Sequence, residues 1–244
     1  MTPRLLDPLT LLAFPASCDL CRTPLRSDHR WSLTLPHRVC RECLRQAMDR
    51  AGAPAWRLGE MAARALLWYE GPTVAWVRGI KEGDARGLLA DLAALWPQAP
   101  LALPVDCLLV PVPADPLRRR QRGGDHVREL ARLWGRTWHR PVASLLRRQG
   151  GVKQQGLTAA ERRRNLADQY RARPLTSGWR GRPLALIDDV CTTGSTLSLC
   201  RDLLTAEGLE VRAALTLASA PHPGLRADRL CELDLAEVHE GLGS

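Results

Sequence analysis

The segment Leu184 to Leu197, LALIDDVCTTGSTL, holds the residues of this chain best suited to chemistry. An apolar run ends on two adjacent carboxylates, Asp188 and Asp189. A stretch of small residues, Thr192, Thr193, Gly194, Ser195 and Thr196, then opens a helix. Backbone N–H groups at a helix start have no partner one turn back, and with the aligned peptide dipoles they attract an anion. Glycine at 194 gives the loop the freedom to close, and four hydroxyls add donors, so the loop suits a phosphate. The two acids stand where a ribose diol attached to that phosphate would lie. One carboxylate can accept the hydroxyl hydrogens, and the pair can stabilise positive charge developing at the anomeric carbon. The plainer alternative is an ordinary strand-to-helix turn with an aspartate cap. The chain contains no GxxxxGK[ST] and no strand-placed GxGxxG, the other common phosphate-binding patterns.

A second constellation lies at the amino-terminal end. Cys18, Cys21, Cys40 and Cys43 spell C-x2-C-x18-C-x2-C. Each pair can place two thiolates on one tetrahedral ion while the intervening segment folds back, the pattern of a zinc site. Four thiolates leave no open position, so the expected Zn²⁺ is structural. His29 and His37 lie inside the excursion and are not required as ligands. Cys107, Cys191, Cys200 and Cys231 lack partner spacing and are expected to act as small apolar residues.

These residues need elements to position them. Residues 1–50 are expected to form the zinc module and 51–104 a helical segment with a Pro-rich linker, because apolar residues from Trp56 to Trp96 recur at helical spacing (Met61, Ala65, Leu66; Val77, Ile80; Leu88, Leu92, Leu95). The tryptophans on those faces are most simply core. From 105 to 220 strand and helix patterns alternate: strands over Cys107–Val112, Val142–Leu146, Leu184–Ile187 and Val211–Leu217, and helices over Asp125–Trp138 and Thr196–Glu207, the last stopped by Gly208. Thr158 and Glu161 have the spacing of a capping box. Such alternation predicts an α/β fold, a parallel sheet flanked by helices, with ligands at the carboxyl ends of the strands. Residues 221–244 are expected to form a tail.

The chain of 244 residues carries a net charge of +9, and the excess is local. Residues 115–182 hold 18 Arg or Lys against 5 Asp or Glu, which suits a polyphosphate or a nucleic-acid backbone. Genome composition explains part of this arginine richness equally well, since Lys81 and Lys153 are the two lysines. The amino-terminal apolar run is broken by Asp7, Pro8 and Pro15, and no run approaches the roughly 18 apolar residues of a membrane span. A cytoplasmic protein with reduced thiols and no stable membrane insertion is therefore expected.

IDDVCTTGST resembles the signature of type I phosphoribosyltransferases. With the paired CxxC motifs, WYEGPTVAWVRGIKEGD at Trp68 to Asp84, PVPADPLRRRQRGG at Pro111 to Gly124 and QQGLTAAERRRN at Gln154 to Asn165, the chain resembles the ComF (competence protein F) family over about residues 5–220. That resemblance implies a type I phosphoribosyltransferase-like sheet and a role in uptake of single-stranded DNA during natural transformation. The implied ligands and partners are phosphoribosyl pyrophosphate with Mg²⁺, single-stranded DNA and a ComFA-like DNA helicase or translocase. Carried over residue by residue, the phosphoribosyl phosphate site falls on Asp188, Asp189, Thr192, Thr193, Gly194, Ser195 and Thr196. The pyrophosphate side falls on the Val112-Pro113 turn and on Arg118 to Arg122, and a closing loop on Lys153, Gln154, Arg162 and Asn165. Where the family often has RGFNQ this chain has Arg122-Gly123-Gly124-Asp125-His126, which puts the family's second-substrate contacts in doubt. Nucleotide salvage of the amidophosphoribosyltransferase kind, or a silent sensor or scaffold, are the competing readings.

Overall fold

A computed structural model describes residues 18, 23–24, 42, 55–82, 86–96, 99–122, 124–149, 169–174 and 177–220. Five strands make the central sheet: β1 (Ala55–Leu58), β2 (Met61–Trp68), β3 (Leu108–Pro111), β6 (Leu184–Cys191) and β7 (Val211–Ser219), in the order β1-β2-β7-β6-β3. All neighbours are parallel except the β1–β2 hairpin. Its helices are α1 (Pro72–Glu82), α2 (Arg86–Ala94), α3 (Pro116–Arg122), α4 (His126–Thr137) and α5 (Ser195–Ala206). A two-stranded antiparallel sheet, β4 (Leu146–Arg148) with β5 (Tyr170–Ala172), stands apart.

The sheet is buried on both faces, and strand alternation divides its side chains between two cores. Ala185 and Ile187 of β6 join Leu66, Val77, Leu89, Leu130 and Trp134 on the side of α1, α2 and α4. Leu184 and Leu186 join Trp56, Met61, Leu146, Tyr170, Leu197 and Leu204 on the side of α5 and the small sheet. Trp56 of β1, Trp76 of α1 and Trp134 of α4 are fully buried in the core, and Trp134 stacks on Trp138 at 5.1 Å between ring centroids. Asp125 caps α4 by accepting from Arg128 N–H at 3.1 Å. Gly208, at φ 75°, follows α5 in the left-handed conformation that ends helices.

Two expectations are corrected. Residues 55–68, expected to be helical, form a hairpin, and β2 pairs with β7 from Ala62↔Ala213 to Trp68↔Ser219, so one sheet draws strands from both sides of residue 104. Met61 and Ala65 are four apart, a spacing that fits one face of a helix and also one face of a strand, so the apolar pattern there did not choose. Burial of alternate residues Met61, Ala63 and Ala65 shows the choice that pairing with β7 made. The strand expected over Val142–Leu146 reduces to one parallel bridge, Val142 to Leu109. Beyond Ala143, whose N–H donates to Leu109 C=O at 3.0 Å, the chain leaves the sheet edge and Leu146–Arg148 pairs with β5 instead.

Cys18 is buried against the helix-side core, and its N–H donates to Thr23 C=O at 2.8 Å. Cys21, Cys40 and Cys43 lie outside the described residues, as do Lys153, Gln154, Arg162 and the capping box at Thr158.

Candidate functional site

Strand β6 runs through both acids and ends at Cys191, which delivers Asp188 and Asp189 to the carboxyl edge of the sheet. Consecutive strand residues face opposite ways. Asp189 turns toward the α1 and α4 side, where Lys81 Nζ lies 3.1 Å from Oδ1 and His126 Nε2 lies 2.5 Å from Oδ2. Asp188 turns toward Arg148 and Tyr170 of the small sheet, and its Oδ1 accepts the Asp189 N–H at 2.8 Å.

The two carboxyls are therefore driven in opposite directions. Burial, then the charge of Asp189, holds Asp188 well above the usual carboxylate range. Burial also acts to raise Asp189, but the hydrogen bond from His126 and the ammonium of Lys81 outweigh it, and the net shift is downward. Cys191 is an apolar filler at the strand end: burial, then Asp188, pushes its thiol up to about 12.

After Cys191 the chain turns through Thr192 and Thr193 to Gly194, which caps α5 at φ 74°. A Cβ on Gly194 would lie 2.4 Å from Cδ2 of Leu58 at the tip of the β1–β2 hairpin. Both the backbone conformation and the close approach require glycine. Thr193 Oγ1 lies 2.8 Å from Ser195 Oγ, so the two hydroxyls organise one rim of the turn. Arg201 of α5 donates back to Leu58 C=O, which fixes the hairpin tip under the loop.

Two hollows meet here. A small one is lined by Thr192, Thr193, Gly194, Ser195, Thr196 and Leu197. A larger one, about 210 Å³, is lined by Lys81, Val112–Asp115, Arg118, His126, Val127, Arg148 and Tyr170. Asp188, Val190 and Thr196 line both. Of the residues expected from sequence, the structure thus brings together Asp188, Asp189, Thr192, Thr193, Gly194, Ser195, Thr196 and Arg118. Arg122 is the last residue of α3, and its side chain lies outside the described part of the structure.

Sequence reasoning missed Lys81, His126, Asp115, Arg148 and Tyr170. Asp115 caps α3 by accepting from Leu117 N–H at 2.9 Å, and its other oxygen lies 3.9 Å from Arg148. Arg148 donates to Gln169 at 2.8 Å and its guanidinium sits 5.3 Å from the Tyr170 ring centroid. Lys81 and Asp115 lie inside segments that carry the family resemblance, but no single local motif joins the five residues, because they come from four separate elements and the turn after β3. The departure at His126 was a further visible signal.

No family model matches the chain. It is 28% identical over 223 residues to DNA utilization protein YhgH of Salmonella typhi, covering 81% of this chain and 94% of that protein. It is 32% identical over 114 residues to competence protein F of Haemophilus influenzae, covering 46% of this chain and 50% of that protein. By sequence the chain is a distant homologue of both. Among solved structures it is similar to an allosteric regulatory enzyme of purine biosynthesis, with a TM-score of 0.33 at 16% identity, over 56% of this chain and 25% of that one. It is also similar to a hypoxanthine phosphoribosyltransferase of Staphylococcus aureus, with a TM-score of 0.31 at 14% identity, over 63% and 67%.

Proposed function

We propose that this chain is a ComF-family protein of DNA uptake or utilisation whose cleft, on a type I phosphoribosyltransferase-like sheet, binds phosphoribosyl pyrophosphate. The observation that carries the reading is the pair of adjoining hollows with Asp188 between them, at the carboxyl edge of a mostly parallel sheet. The 5′-phosphate belongs in the Thr192–Thr196 turn, at the start of α5. The ribose diol belongs beside Asp188, and the pyrophosphate beside the Val112-Pro113 turn and Arg118. Asp115 and Asp188 give the cleft hard oxygen donors, which suits Mg²⁺ arriving with the phosphates. Mg²⁺ would neutralise the leaving pyrophosphate. The acids would support positive charge at the anomeric carbon. Lys153, Gln154 and Arg162 belong to a segment that would close over the ligand and exclude water.

The DNA role is supported by the kinship with proteins named for competence and DNA utilisation, and by the basic stretch 115–182. Single-stranded DNA is the proposed macromolecular ligand, with a ComFA-like helicase as partner in the cytoplasm. Calorimetric titration with phosphoribosyl pyrophosphate and Mg²⁺ is expected to show saturable binding. Pyrophosphate release, assayed with and without single-stranded DNA, then separates turnover from sensing. DNA affinity should fall with salt at about 0.7 log units per log unit for each phosphate contacted. No binding of the sugar phosphate would end the cleft reading, and DNA binding indifferent to salt would end the electrostatic one.

Cys18, Cys21, Cys40 and Cys43 are proposed to hold one structural Zn²⁺, on the chemistry of four thiolates at this spacing. Elemental analysis of protein purified without chelators should find one zinc per chain, and none would refute the site.

A further inference from the structure

We infer that Lys81 and His126, oriented by Asp189, form an anion subsite that takes the diphosphate end of the ligand. This rests on the cleft reading above and adds two residues that no motif assigns. Both oxygens of Asp189 are engaged, one by Lys81 at 3.1 Å and the other by His126 at 2.5 Å. A carboxylate so engaged is a poor acceptor for a sugar diol and a good anchor for two donors. The lysine ammonium has three N–H groups and the contact with Asp189 uses one. Its side chain is 29% exposed, and that of His126 is 11% exposed.

Placement decides which part of the ligand they meet. Lys81, His126 and Arg118 all line the larger hollow, and none of them lines the loop hollow. The two hollows join at Asp188, Val190 and Thr196. The cleft therefore presents an anion cradle, then a carboxylate, then a cluster of nitrogen-bearing side chains that includes the Lys81 ammonium and the Arg118 guanidinium. A sugar carrying a phosphate at one end and a diphosphate at the other has the same order of charge and hydroxyls. Asp189 is on this reading a positioning residue, and Asp188 is the acid that meets the ligand.

The test is calorimetry on the full chain with inorganic pyrophosphate and, separately, ribose 5-phosphate. Lys81→Met should weaken pyrophosphate at least about tenfold, the scale of one lost charge-assisted hydrogen bond, and leave ribose 5-phosphate within about twofold. His126→Gln should weaken pyrophosphate several-fold in the same selective way. Should Lys81→Met not fold, Lys81→Gln replaces it, and its ribose 5-phosphate affinity reports that the cleft is intact. In an Asp189→Asn background Lys81→Met should still weaken pyrophosphate. No effect there would mean that Lys81 only neutralises Asp189, which overturns the inference. Wild-type protein that binds ribose 5-phosphate but not pyrophosphate overturns the subsite and leaves the cradle standing. Wild-type protein that binds neither overturns both.

Discussion

Replacing Gly194 with alanine is expected to destabilise the protein by about 2–5 kcal/mol and to abolish binding of ribose 5-phosphate. Two costs add. At φ 74° a residue with a Cβ pays about 1–2 kcal/mol for the left-handed conformation. The same Cβ would lie 2.4 Å from Leu58 Cδ2 and 3.3 Å from Cδ1, and overpacking of this kind costs about 1–3 kcal/mol. Leu58 is 9% exposed and its carbonyl accepts from Arg201, so the hairpin tip has little room to retreat. The double variant Leu58→Ala/Gly194→Ala should be less destabilised than the sum of the singles, by about 1–3 kcal/mol, because the truncation removes the clash and leaves the backbone cost. Denaturant unfolding of the four proteins measures this. An additive cycle would show that Leu58 does not support the loop, and an unchanged single variant would place the loop elsewhere.

The adjacent acids should respond to amidation with opposite signs. Asp188 keeps its proton more tightly in the folded state, first because of burial and then because of Asp189. Between the unfolded aspartate value, about 3.9, and its raised folded value, the native state binds more protons than the unfolded one. Stability therefore falls as pH rises through that window. Asp188→Asn removes this loss while its amide oxygen can still accept the Asp189 N–H, so the variant should be more stable than wild type at neutral pH. It should also bind phosphoribosyl pyrophosphate more weakly by about 1.5–3 kcal/mol, the worth of a hydrogen bond to a charged group.

Asp189 is shifted downward, so its contribution is present above the unfolded value and lost as pH falls through the folded one. Asp189→Asn should cost about 1–3 kcal/mol at neutral pH, less than for a fully buried pair because Lys81 is 29% exposed. The deficit should shrink toward acid pH, where wild-type Asp189 protonates too. Urea unfolding of both variants from pH 3 to 8 checks the signs. Destabilisation by Asp188→Asn at pH 7 would mean that its charge is satisfied in the native state, and the division of labour between the acids would fail.

What the sequence determined by itself was whatever depends on neighbours along the chain. An apolar run, two acids, four hydroxyls and one glycine within fourteen residues dictate a strand, a turn and a helix start, and β6, the Gly194 turn and α5 follow that pattern. The helix expected over Asp125–Trp138, found as α4, and the Gly208 stop of α5 were legible for the same reason. Tertiary structure decided whatever depends on partners distant in sequence. Met61 to Trp68 became a strand because β7 offered a parallel edge, where the apolar spacing fitted helix and strand alike. Residues past Ala143 left the sheet because β5 offered an antiparallel one, which carried Arg148 and Tyr170 to the cleft. The same holds for the acids. Sequence placed Asp188 and Asp189 side by side, but strand alternation turned them to opposite faces, and only packing against α1 and α4 gave one of them Lys81 and His126. A carboxylate's charge state is set by what surrounds it in space, and along the chain those groups lie dozens of residues away.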